Sequence, residues 1–207
     1  MTRASQEPAF LAISPMGKIP VLVTPEGAVA ETVAILGYLE DIAPNPALVA
    51  ADAFGRARER QLINLVQLYV EMPVRALFPG VFLGGSNSEE TCAQSLQILE
   101  RAMGALRLLA RPAPFLLGDR LSQADLYAFY CLDIAERVMG FVYGRSILRE
   151  CGLELWARQM ADRPSSAQVM AAFHRLLSEY LNDKKAAYRL DAAVHLSGTA
   201  SAFVACQ

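Results

Sequence analysis

The sequence predicts an α+β chain, mostly helical, with a short strand-bearing segment near its start and all-helical sequence after it. Two observations carry this. Paired strand-forming runs are confined to Val21-Leu22-Val23 and Ala28-Val29-Ala30, on either side of the turn Pro25-Glu26-Gly27. Beyond the close prolines Pro44 and Pro46, the apolar residues recur at helical spacing in several long segments.

The first elements follow from local chemistry. Ile19-Pro20 precedes three apolar residues, so the proline reads as the first residue of a strand, where its missing N–H is tolerated and its bond can be cis. Gly27 is free to take positive φ, and the chain returns as a second, antiparallel strand. Thr32 then stands ahead of Val33, Ile35, Leu36 and Leu39, a helical pattern, and is placed to cap that helix. A helix start offers free N–H groups and a positive dipole end to a carboxylate. Read by itself, the stretch is a hairpin leading into a capped helix.

Asp41 to Pro46 reads as a linker. Asp52 caps the next helix, in which Leu62, Leu65, Val66, Tyr69, Pro73 and Leu77 form one face, while Arg56, Arg58, Glu59 and Arg60 are solvated. Pro73 should kink it. After Gly84-Gly85, either Ser86 with Glu89 or Asn87 with Glu90 gives a capping pattern, ahead of a stripe at Leu96, Leu99, Met103, Leu106 and Ala110. Arg111-Pro112-Ala113-Pro114 breaks the chain, and Ser122 with Asp125 opens a helix apolar nearly all round from Leu126 to Met139, hence buried. Glu71 and Arg75 form an i, i+4 pair that needs no functional explanation, and His174 reads as a boundary histidine.

At 207 residues, 54% hydrophobic and 19% charged, with net charge −2, the chain can bury a sizeable core and offers no nucleic-acid surface. Its four cysteines, Cys92, Cys131, Cys151 and Cys206, lack metal-ligand spacing and read as free thiols. No apolar run reaches the roughly 20 residues that span a bilayer, so a soluble protein without membrane partner or metal is expected.

Three separated stretches resemble the glutathione S-transferase family. They are Pro15-Met16-Gly17-Lys18-Ile19-Pro20-Val21-Leu22-Val23 with Glu31-Thr32, Leu117-Gly118-Asp119-Arg120-Leu121-Ser122-Gln123-Ala124-Asp125, and Trp156 through Ser165. The resemblance runs from about Pro8 to Tyr180. It implies a partial thioredoxin-like segment over residues 1–43, an all-helical transferase C-terminal domain over 52–181 and a tail over 182–207. It further implies that the backbone of Ile19 before cis-Pro20 bonds the cysteinyl backbone of glutathione, that Glu31 and Thr32 hold its γ-glutamyl end, and that Lys18 lies near its glycyl carboxylate. Where the family usually has Ser, Thr32 keeps the hydroxyl. Tyr69, Met72 and Tyr127, with Arg75, would line a cleft for hydrophobic small molecules. A cytoplasmic homodimer with glutathione as co-substrate is the expected form, conjugating glutathione to electrophiles.

One departure qualifies the activity. In the family a strand, a helix and a second strand precede the position of Pro8, and a Tyr, Ser or Cys after the first strand activates or attacks glutathione. Here Met1 to Glu7 stand in that place, and Ser5 falls in no matching motif. A thiolate nucleophile needs a positioned donor to lower its pKa, so the catalytic residue stays unassigned. Two expectations result: an enzyme whose coding start has been set too late, or a non-catalytic relative kept for binding or dimerisation. The strand from Pro20 to Thr24 should present an apolar edge, and the segment from Ala192, with Val194-His195-Leu196 and Ala202-Phe203-Val204, either covers it or stays mobile.

Overall fold

The chain divides into two units, Met1–Ala51 and Asp52–Gln207, and the computed structural model describes residues 4–190. Cys206, His195 and the segment from Ala192 lie outside the described residues.

In the first unit a single helical turn, α1 (Pro8–Leu11), precedes strands β1 (Val21–Thr24) and β2 (Gly27–Ala30) and helix α2 (Thr32–Ile42). The strands pair antiparallel in the register Val21↔Ala30, Leu22↔Val29, Val23↔Ala28 and Thr24↔Gly27. Among the described residues this is the whole sheet. Thr24 closes the turn: its Oγ1 accepts from the N–H groups of Glu26 and Gly27 and donates to the Gly27 carbonyl. Beyond α2, Glu40 takes the N–H groups of Leu48 and Val49 on its carboxylate at 3.0–3.2 Å, which folds the proline-rich segment back along the helix.

The second unit begins with α3 (Ala53–Val66), capped by Asp52, whose side chain accepts from Gly55 N–H at 2.8 Å. A π turn (Gln67–Glu71) follows, then α4 (Met72–Ala76) and α5 (Phe78–Phe82). Pro73 has no N–H for the carbonyl one turn back and its ring crowds that turn, and the helix widens just ahead of it. The added residue shifts the buried face. Leu62, Val66, Val70, Val74, Leu77 and Val81 are the core residues, whereas Tyr69 is 52% exposed, so the expected stripe fails at Tyr69. Glu59 is also a correction: it is buried and accepts from Arg120 at 3.1 Å, a cation that comes from the far side of the unit in sequence.

α6 (Glu89–Leu109) buries Leu99, Met103 and Leu106, as its spacing predicts. Its cap is Ser88, whose hydroxyl accepts from Thr91 N–H at 3.1 Å, not Ser86 or Asn87. Asn87 is used elsewhere: its Oδ1 accepts from Gly80 N–H and its Nδ2 donates to the Leu77 carbonyl, tying down the loop after α5. α7 (Gln123–Tyr143) is the buried helix expected from its composition, and it packs against α3. It is followed by α8 (Ile147–Cys151), α9 (Glu154–Ala161) and α10 (Pro164–Asp183). Asp125 fixes the start of α7. Fully buried, it accepts from Ser122 N–H, Ser122 Oγ, Leu116 N–H and Trp156 Nε1 at 2.7–3.0 Å. After α10, Tyr188 turns back and packs edge-on against Phe82 and Phe141.

Cys131 and Cys151 are free, whereas Cys92 is disulfide-bonded, so the expectation of free thiols fails at Cys92. Pairing depends on how the fold brings two Cβ atoms together, which sequence spacing does not encode. Among the described residues no helix is long and apolar enough to cross a membrane.

Candidate functional site

The segment before β1 is held by the Ser14 hydroxyl and by its own backbone. Ser14 Oγ accepts from Lys18 N–H at 3.1 Å and donates to the Lys18 carbonyl at 2.7 Å, and Gly17 N–H bonds the Ser14 carbonyl. Gly17 takes φ +59, and a Cβ there would come within 2.7 Å of the Ser5 carbonyl oxygen. This clamp leaves Lys18, Ile19 and Pro20 exposed, with the Ile19–Pro20 bond cis.

At the other end of the hairpin, β2 passes into α2 through Glu31, with φ 73 and ψ 117. A side chain with a Cβ pays on the order of 1–3 kcal/mol for such a backbone. That conformation turns the chain so sharply that Thr32 is already the first helical residue, and Glu31 takes the capping place expected for Thr32. The Glu31 side chain makes no capping bond to the helix. Its first N–H groups, from Thr32 to Ala34, have no partner within the helix, since the first such bond runs from Ile35 N–H to the Glu31 carbonyl. Glu31 and Thr32 are both exposed beside them. The first unit thus brings together, across one hairpin, an exposed cis-proline main chain and an uncapped helix start bearing a carboxylate and a hydroxyl.

In the second unit, Tyr69 and Met72 are 52% and 57% exposed, on and just after the π turn. Tyr127 is buried, and its hydroxyl donates to Glu71 Oε2 at 2.8 Å. Cys131 Sγ donates to the same oxygen at 3.4 Å, while Arg75 holds Oε1 at 2.6 Å. Burial, then the bond to the Glu71 carboxylate, holds the Tyr127 phenol well above its ordinary range. Burial and the Glu71 charge do the same to the Cys131 thiol, so neither group is a ready nucleophile. Sequence spacing showed the Glu71–Arg75 pair but not the two α7 donors, which are 56 and 60 residues away. His174 is exposed and lies 2.8 Å from an Arg137 guanidinium nitrogen. Ser5 is buried and its Oγ accepts from Gln6 Nε2 at 3.4 Å. Among the described residues no group of three or more His, Cys, Asp or Glu could hold a metal ion.

Residues 1–47 match the family described as the N-terminal domain of glutathione S-transferase. A glutathione S-transferase of Pseudomonas putida is 32% identical over 167 residues, 80% of this chain and 76% of that protein. The chain belongs to the glutathione S-transferase family. A maleylacetoacetate isomerase of Pseudomonas aeruginosa is 32% identical over 134 residues, 64% of this chain and 63% of its own length. Among solved structures, a glutathione transferase homolog from Sulfitobacter, with bound glutathione, matches with TM-score 0.66 at 22% identity, covering 81% of this chain and 80% of that one. The family's fold, a thioredoxin-type segment followed by a helical domain, is the fold described above.

Proposed function

We propose that this glutathione S-transferase family member binds glutathione on its first unit. The main chain of Lys18, Ile19 and Pro20 would take the cysteinyl part, the exposed Lys18 the glycyl carboxylate, and Glu31 with Thr32 the γ-glutamyl end. Glu31 is the observation that carries this reading. A residue kept in a costly backbone conformation, with its side chain solvent-exposed and unused for capping, points to a ligand rather than to folding. The adjoining N–H groups of α2 suit a carboxylate. The bound glutathione of the Sulfitobacter homolog supports the ligand's identity.

The finer reading is conjugation of glutathione to hydrophobic electrophiles by a cytoplasmic homodimer, with Tyr69 and Met72 offering the apolar surface. Tyr127, buried with its phenol committed to Glu71, stays outside that surface. A second reading, binding without catalysis, is favoured by Ser5, whose burial removes it as an activator of the glutathione thiol. Calorimetry with glutathione tests the binding. Thr32→Val should weaken it several-fold, and unchanged heat in that variant removes Thr32 from the site. Conjugation of glutathione to a chlorinated nitrobenzene separates the two readings: a rate above the uncatalysed background supports the enzyme, and background rate with binding retained supports the binder. No heat with glutathione overturns both.

A further inference from the structure

The second unit contains a cavity of about 260 Å³ lined by α7, α9 and α10, together with Leu148 of α8. Its walls are apolar, from Phe129, Leu132, Leu148, Trp156, Ala157 and Met170. About 150 Å³ suffices for benzene in a dry cavity, so this one admits a ring with a short chain and falls below the size of drug-binding pockets. Four charged side chains also line it: Asp133, Glu136, Glu154 and Arg158. Two of the three carboxylates have cations of their own. Asp133 is held by Arg137 through both oxygens at 2.8 and 3.0 Å, and Glu154 lies 3.6 Å from Arg149.

Glu136 differs. Its Oε2 accepts the Leu148 N–H at 3.0 Å, at the start of α8. Among the described residues its buried Oε1 has no hydrogen-bond partner. A buried carboxylate oxygen without a donor is costly, and a ligand that brings one recovers that cost.

We propose that this cavity binds a small apolar amine, with its ring against Trp156, Leu132 and Met170 and its ammonium beside the Glu136 carboxylate. The ammonium carries three donors and a positive charge, which complements a carboxylate that pairs with no cation among the described residues. The site involves no residue assigned to glutathione, so it stands or falls separately from that reading.

The test is calorimetry on the full chain with 2-phenylethylamine, and with propylbenzene as its uncharged counterpart, each with and without glutathione. The amine should bind at least tenfold more tightly than propylbenzene, and saturating glutathione should leave its affinity unchanged. Glu136→Gln, which keeps an acceptor for Leu148 N–H, should weaken the amine tenfold or more, and Ala157→Leu, which fills the cavity, should abolish binding. Equal affinity for the two probes, no heat with the amine, or amine binding that survives Ala157→Leu overturns the proposal. So does full affinity in Glu136→Gln; if that variant does not fold, the probe comparison and Ala157→Leu decide.

Discussion

Trp156 Nε1 donates to Asp125 Oδ1 at 2.9 Å across 31 positions of sequence, joining α9 to the start of α7. The same carboxylate satisfies three other donors. Asp125→Ala strands all four, so it should cost about 4 kcal/mol. Trp156→Phe frees one oxygen of one donor and trims the core, and about 2 kcal/mol is expected. Urea denaturation checks both, and a cost for Asp125→Ala below that of Trp156→Phe would contradict this account.

Glu71 holds two α7 donors and Arg75 at once. Tyr127→Phe removes a buried bond to a charged acceptor and should cost about 2 kcal/mol. Glu71→Gln removes the charge that helps keep the Cys131 thiol protonated, so Cys131 should alkylate faster in that variant at mildly alkaline pH. Peptide mapping by mass spectrometry after brief iodoacetamide exposure reads this directly.

Burial pushes the Cys151 thiol from 9.0 to about 11 and the Tyr143 phenol from 10.0 to about 12. The unfolded chain releases both protons first, so folding holds them. Stability is therefore complete below about pH 9 and falls as pH rises through the folded-state values. Tyr143 Oη also donates to the Cys92 carbonyl at 2.8 Å, so Tyr143→Phe should be less stable at neutral pH yet lose less between about pH 8 and 11. Denaturation midpoints at several pH values give both quantities.

Glu31→Gly relaxes the backbone at φ 73. Glycine adds entropy to the unfolded chain, so the net gain should be small, up to about 1 kcal/mol. Glutathione binding should nonetheless fall about tenfold, because a carboxylate is lost. A variant that binds as before would detach the strained backbone from any ligand role.

Gly84 has φ +71, and a Cβ there would run into the Lys184 carbonyl oxygen, which is backbone and cannot swing away. Gly84→Ala should cost about 3 kcal/mol. Thermal unfolding checks it.

Much of this was legible in residue order. The turn at Pro25-Glu26-Gly27, the stripe of α6 and the Ser122–Asp125 box depend on neighbours within one turn or one hairpin. Glu31 was not legible as a cap because glutamate carries no preference for positive φ; the fold imposes it. Glu59 reads as a solvated charge and Glu71 as half of an i, i+4 pair because Arg120 and Tyr127, their further partners, come from distant segments. The cavity beside Glu136 belongs to the same class, since it is bounded by parts of four helices.

The π turn at Gln67–Glu71 is also the mark of an insertion that a helix has absorbed without a loop. In an unbroken α-helix one surplus residue would rotate everything after it by about 100°, and the wide turn takes up that rotation. Deleting Leu68, which is exposed, should therefore close the turn to an ordinary α-helical one. The buried Val66 and Val74 on either side would keep their places, so the helix would lose a residue without losing its register.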